Sequence, residues 1–541
     1  MSRLDAAIAC YLEALRIAPR DPELHCNLGV ALADLGRQDD AIASYRTAVS
    51  LAPGYANAHY DLGITLQELK RHDEAIACFE KALEIEPSHK EALGALVMSE
   101  LGDCRWDRLG VHAADLVRPG WEGRGIVEPF TFLLVSGDPA EQKLCAERYA
   151  ARVPHSTVPP RPAAGGSQRL RLAYLSGDFR NHAVAQLTAG LFELHDRSRF
   201  EVAGVSFGPD DGSELRRRIE RGFERFIDVR SRSDADVAAM LRDLGIDIAI
   251  DMSGYMSLAR PGILALRPAR VQVNFLGYPG TLGAAFMDYI VADRFLVPEE
   301  LAAFYSERLV YLPDTYLVND SKRPIAECTP SRAALSLPED AFVFCCFNLT
   351  AKITPEIFSV WMRLLAQVPG SVLWLLEDNP SARRNLEREA KARGVDASRL
   401  VFAPRMRTDL HLARQCRADL FLDTLPYNAH TTASDALWAG LPVLTCPGRT
   451  FAGRVAGSLL RAVGLPELIA RDMEEYESLA LVLARDRAKL EQLRAKLAQN
   501  RESAPLFDTD RFRRHIEAAY ATMHEIALRG EEPRPFAVSP S

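Results

Sequence analysis

The sequence predicts an α-helical repeat solenoid followed by two doubly wound α/β lobes. Three observations lead there. Prolines recur every 34 residues near the N-terminus, a Pro-, Gly- and Ser-rich stretch spans 154–168, and two series of strand-length apolar runs alternate with amphipathic helical segments beyond it. A chain of 541 residues also exceeds what a single hydrophobic core organises. With 48% apolar and 26% charged residues it has the composition of a folded globular protein.

The repeat rests on Pro19, Pro53 and Pro87, and in the same frame fall Ala7, Ala41 and Ala75, then Tyr11, Tyr45 and Phe79. Leu28-Gly29 and Leu62-Gly63 complete the register. Small residues at fixed points let paired helices approach closely, an aromatic ring fills the gap between them, and proline stops the second helix. These residues match the tetratricopeptide pattern over 1–90. Residues 1–20 supply a second helix without its first, so a longer natural array is one expectation and a misassigned start the other. The array either presents a protein acceptor or caps the next domain. Helical character without clear repeat signatures continues over 91–153 as an adaptor, and 154–168 reads as a linker.

After the linker, apolar runs at 170–176, 201–207, 246–252, 271–275 and 289–292 predict strands of a first lobe over 169–335. A second series at 342–347, 371–376, 400–402, 420–423 and 443–445 predicts the second lobe over 336–530, with 531–541 as a flexible tail. Ligands bind such sheets beyond the carboxyl ends of the strands. No GxGxxG follows the first strand of either lobe, and GxxxxGK[ST] and GxSxG are absent, which removes the main support for dehydrogenase, P-loop and hydrolase readings.

A net charge of −8 argues against duplex nucleic acid as the main ligand. No run approaches the roughly 18 apolar residues of a membrane span, and the N-terminus lacks the order of a signal peptide, so a cytoplasmic protein is expected. The ten cysteines show no ligand spacing, and neither disulfides nor a metal are expected.

Three strand-end segments carry candidate chemistry. In Asp423-Thr-Leu-Pro-Tyr-Asn-Ala-His430-Thr431-Thr432-Ala-Ser-Asp435, a strand ends in a polar turn and then a helix whose first N–H groups, with two hydroxyls, suit a diphosphate. His430 adds a donor, and Asp435, one turn on, suits a ribose diol. An ordinary threonine N-cap is the plainer alternative for Thr431 or Thr432. In Cys345-Cys346-Phe347-Asn348-Leu349-Thr350-Ala351-Lys352, a buried strand leads to a lysine able to neutralise a departing diphosphate, followed by Thr354 and Pro355 as N-cap and first helical residue. In Ser176-Gly177-Asp178-Phe179-Arg180-Asn181-His182, a histidine suited to proton transfer follows the first strand. Gly277-Tyr278-Pro279-Gly280-Thr281 either lines the cleft or only turns the chain.

Together with ALRPARVQVNFLGYPGT, FMDYIVAD and ADLFLDTLPYNAHTTASDALWAG, these segments resemble the protein O-linked N-acetylglucosaminyltransferases and SPINDLY proteins, glycosyltransferase family 41. The resemblance covers nearly the whole chain, as a bacterial-type member with a short repeat array. It implies a GT-B fold and an inverting, metal-independent enzyme without a cofactor, moving a sugar from a nucleotide donor, UDP-N-acetylglucosamine foremost, to Ser or Thr of a protein acceptor. It assigns Lys352 and His182 to catalysis, His430, Thr431 and Thr432 to the diphosphate, Asp435 to the ribose, and His411 with Arg414 to the base. It also implies that a C-terminal helix around 507–524 packs across the first lobe. The chain departs from the animal enzymes in carrying Ala351, Leu349 and Thr408 near those sites, as SPINDLY-like sequences carry Ala before the lysine. A GDP-fucose-dependent protein fucosyltransferase and a non-catalytic tetratricopeptide adaptor are therefore the alternatives.

Overall fold

The computed structural model describes residues 3–89, 91–117, 127–154 and 169–540. Apart from Pro154, the predicted linker lies outside them. The chain divides into two compact units, one of residues 1–131, 349–359 and 376–397, the other of 132–348, 360–375 and 398–541.

In the first unit, α1 (Arg3–Ile17), α2 (Pro22–Asp34), α3 (Gln38–Leu51), α4 (Ala56–Glu68) and α5 (His72–Ile85) form the antiparallel pairs of the repeat. The 34-residue register is the packing register: Ala41 and Ala75, Tyr45 and Phe79, and Ala48 and Ala82 are all buried. The glycine beside each ring is obligatory, since a Cβ on Gly29 or Gly63 would lie 2.6 Å from the ring of Tyr45 or Phe79. Pairing continues through α6 (Ala92–Gly102) and α7 (Leu109–Val117), where repeat residues are no longer legible in the sequence.

The second unit opens with α8 (Pro129–Val135) and α9 (Pro139–Ala150) and contains two sheets. The first has strands β1 (Leu170–Ser176), β2 (Phe200–Ser206), β3 (Arg225–Asp228), β4 (Ile248–Asp251), β5 (Val271–Asn274), β6 (Tyr289–Asp293) and β7 (Arg308–Leu312). Its helices are α10 (Ala183–Leu194), α11 (Glu214–Gly222), α12 (Asp234–Asp243) and α13 (Pro261–Ala265). The second has β8 (Val343–Cys346), β9 (Val372–Leu376), β10 (Leu400–Ala403), β11 (Leu420–Leu422) and β12 (Val443–Leu444). Along the chain its connections are α14 (Pro355–Gln367), α15 (Pro380–Ala392), α16 (Thr408–Gln415), α17 (Thr431–Trp438) and α18 (Val455–Ala462), of which α15 and the start of α14 belong to the first unit. The chain then runs through α19 (Met473–Arg485), α20 (Arg487–Asn500) and α21 (Thr509–Leu528) to β13 (Phe536–Ala537).

Strand order is β13-β7-β6-β5-β4-β1-β2-β3 in the first sheet and β10-β9-β8-β11-β12 in the second. Every pairing of the first sheet is parallel. The order reverses between β1 and β4 and between β8 and β11, so the crevices that receive ligands in such sheets lie at the carboxyl ends of these four strands. The segment 531–541, expected as a flexible tail, is corrected here: Phe536 pairs with Val310 and Ala537 with Tyr311, because the last strand completes the open edge left by β7.

Helix α21 lies against the first sheet. Its Glu517 accepts from His195 Nδ1 at 2.9 Å, His195 Nε2 meets the Tyr174 hydroxyl at 2.9 Å, and Phe512 stacks on Phe275. Both His195 and Glu517 are fully buried, so this network is a structural tie between α21 and β1.

Candidate active site

The strand-end segments occupy the reversal points. After β11, Asp423 accepts the N–H groups of Thr424 and Ala429 and the Thr445 hydroxyl, folding 424–430 into a tight turn. This turn delivers the chain to α17 with His430 as N-cap residue and no side-chain cap bond, so neither Thr431 nor Thr432 plays the ordinary capping role. The His430 ring stacks on Tyr427 with centroids 4.7 Å apart, and its Nε2 is 3.0 Å from the Ala452 carbonyl oxygen, to which it donates. The first N–H groups of α17, at Thr431 and Thr432, have no acceptor within the helix, as in any α-helix.

Two residues unsuspected as site residues brace this turn. Asn348, just beyond β8 and 2% exposed, donates to Thr424 Oγ1 at 2.8 Å and accepts from the Thr432 hydroxyl, so it joins the ends of β8 and β11. Arg323, buried in the segment that crosses between the sheets, donates from Nη1 to Asp435, and its Nη2 lies 3.3 Å from Asn319 Oδ1. Burial pushes the Asp435 carboxyl upward and the guanidinium opposes that shift. Asn348 was legible as a polar residue at a strand end, whereas no sequence spacing connects Arg323 with a partner 112 residues away.

His411 and Arg414 lie one turn apart on α16. Arg414 is fully buried, donates to Pro404 O at 2.7 Å and to His411 Nδ1 at 3.1 Å, and stacks over Phe347 and Trp374. Among the described residues no carboxylate pairs with it and Nη2 has no hydrogen-bond partner, and burial lowers its pKa to about 10. His411 packs edge-on against Phe347, and burial beside Arg414 brings its pKa to about 3, so it is a neutral ring with its proton on Nε2. The unfolded chain takes up a proton below pH 6.5 that native His411 refuses, so stability falls on acidification between pH 6.5 and about 3. His411→Gln, which keeps an acceptor for Arg414, reduces the loss on going from pH 6.5 to 5 by about 2 kcal/mol, measured by urea unfolding.

His182 follows β1 and is the N-cap of α10. Its Nδ1 accepts from the Val184 N–H at 3.3 Å and lies 3.7 Å from Asp178 Oδ2. Burial lowers its pKa against the pull of Asp178. One turn on, Gln186 Nε2 is 3.4 Å from Thr408 Oγ1, which brings α10 beside the first turn of α16. Lys352 closes the short 3-10 turn Thr350–Lys352 that follows β8, within the first compact unit, and Thr354 caps α14 as expected. The turn at 277–281 serves structure: Thr281 donates to buried Glu307 at 2.5 Å. Among the described residues no three His, Cys, Asp or Glu side chains converge as a metal site.

The chain is similar to known proteins over most of its length. The model of glycosyl transferase family 41 matches residues 140–329 and 322–516, and tetratricopeptide models match 1–36, 31–70 and 56–89. The chain is 38% identical over 430 residues to the Arabidopsis thaliana probable UDP-N-acetylglucosamine-peptide N-acetylglucosaminyltransferase SEC, covering 76% of this chain and 44% of that protein. Identity to the Caenorhabditis elegans UDP-N-acetylglucosamine-peptide N-acetylglucosaminyltransferase is 31%, covering 65% of this chain and 40% of that protein. Identity to the Petunia hybrida probable transferase SPINDLY is also 31%, over 68% of this chain and 40% of that one. The chain thus spans less than half the length of these curated relatives. A solved lysine-to-methionine mutant of the Thermobaculum terrenum O-GlcNAc transferase is 32% identical, with a TM-score of 0.73 over 97% of this chain and 95% of that one.

Proposed function

Because the chain belongs to glycosyl transferase family 41, we propose that it transfers N-acetylglucosamine from UDP-N-acetylglucosamine to Ser or Thr hydroxyls of a protein acceptor, with inversion and without a metal or cofactor. The observation that carries this reading is the N-terminus of α17, free of a side-chain cap bond and set at the β8–β11 strand reversal. The helix terminus suits the diphosphate, and the family resemblance gives the base to His411 and Arg414. Asp435, held by Arg323, accepts from the ribose diol.

In the reaction the acceptor oxygen attacks the anomeric carbon, the bond from that carbon to the diphosphate oxygen breaks, and charge gathers on the leaving group. The first turn of α17 stabilises that charge, and the family resemblance gives Lys352 the same role. With Nδ1 accepting from Val184, neutral His182 offers Nε2–H as a donor, which favours a phosphate oxygen as the recipient of the hydroxyl proton. Ten cysteines without a disulfide support a cytoplasmic location.

Thermal denaturation with UDP and with GDP tests the donor. At about 100-fold excess over Kd, UDP adds about 2.7 kcal/mol of stability and GDP adds none. Stabilisation by GDP alone favours the fucosyltransferase reading, which Ala351 and the SPINDLY relatives motivate, and stabilisation by neither favours the adaptor.

A further inference from the structure

The turns between paired helices of the repeat carry a discrepancy in backbone chemistry. Gly36, Lys70 and Cys104 stand 34 residues apart, in the turns after α2, α4 and α6, and all three are left-handed, with φ of 79°, 58° and 51°. Glycine adopts that conformation freely, whereas a residue with a Cβ is strained in it. At Gly36 an added Cβ would meet nothing within 4 Å. At the next two turns the side chain that accepts the strain is in use.

Lys70 forms an ion pair with Asp378, whose Oδ2 lies 3.3 Å from the Thr350 hydroxyl. That hydroxyl donates to the Gly102 carbonyl at the end of α6, 2.8 Å away. Cys104 Sγ lies 3.8 Å from the Thr350 carbonyl oxygen, the same oxygen that accepts the Ile353 N–H closing the Lys352 turn. Thr350 is 2% exposed and thus held at both its hydroxyl and its carbonyl. The grip extends around it. Asn379 Nδ2 donates to Gly102 O at 2.9 Å, Asn385 Nδ2 reaches Asp103 at 3.0 Å, and Trp106 packs on Phe358 at the start of α14.

We infer that the second and third repeat turns are a clamp that positions Lys352 for the departing diphosphate, so the array serves the chemical step itself and not acceptor docking alone. Thr350, Lys70 and Asp378 are positioning residues in this device. The inference rests on the proposed role of Lys352.

Hydrolysis of UDP-N-acetylglucosamine by the full chain, with no protein acceptor present, isolates the clamp from docking. Lys70→Gly lowers kcat about 3- to 10-fold with KM within about 2-fold, while the melting temperature stays within about 2 °C because relief of the left-handed backbone offsets the lost ion pair. Thr350→Val lowers kcat about 10-fold or more, and Thr350→Ser restores it to within about 3-fold. Wild-type kcat in Lys70→Gly and Thr350→Val, beside a strong loss in Lys352→Ala, overturns the clamp alone. Wild-type turnover in Lys352→Ala overturns the reading of Lys352 and the clamp with it.

Discussion

Replacing Lys352 by methionine lowers the turnover of UDP-N-acetylglucosamine about 100- to 1,000-fold, the effect of removing one preorganised charge donor from a leaving-group site. The loss falls on kcat and leaves KM within a few-fold, because the ammonium is worth most when the diphosphate departs. The Thr350–Lys352 turn is held through the Thr350 hydroxyl on the Gly102 carbonyl, which the substitution leaves in place. Steady-state release of UDP gives both constants. An unchanged kcat removes Lys352 from the mechanism.

Arg323→Met is expected to cost about 3–5 kcal/mol of stability, since it leaves a buried carboxylate without its counter-charge. With Arg323 gone only burial acts on Asp435, and its pKa rises further above the ordinary carboxylate value. A folded-state pKa above the unfolded one stabilises at low pH and is lost as pH rises through it. The gap between variant and wild type therefore widens as pH rises through the raised pKa of Asp435, and nucleotide binding by the variant is weakest where Asp435 is protonated. Adding Asp435→Leu restores much of the stability but not UDP affinity. Thermal melts and calorimetry as a function of pH check both parts, and a pH-independent gap contradicts the assignment of the charge pair.

The architecture was largely legible because it is written in local periodicities. The 34-residue register placed Tyr45 over Gly29 and Phe79 over Gly63, and apolar runs located β1, β4, β8 and β11, whose ends hold the site. What escaped notice lacked those signals. β3 is a short edge strand with both ends exposed, β7 follows β6 through a 3-10 turn with no α-helix between, and β13 has two residues in a polar tail. In the site, His430, Thr431 and Thr432 were visible as a polar cluster at a strand end. Arg323 was not, since its partner is supplied only by the fold. Nor does sequence reveal that His182 spends Nδ1 on its own helix, which turns a candidate base into a donor.

Glycosylation of protein hydroxyls from a UDP-sugar is the proposed reaction of this chain. Incubation of the purified chain with UDP-N-acetylglucosamine and a library of Ser- and Thr-containing peptides, read by mass spectrometry with fragmentation, tests it directly. The expected product carries a single N-acetylhexosamine on Ser or Thr, is absent with Lys352→Met and forms equally with chelator present. Peptides left unmodified in the presence of a bound, intact donor would contradict it.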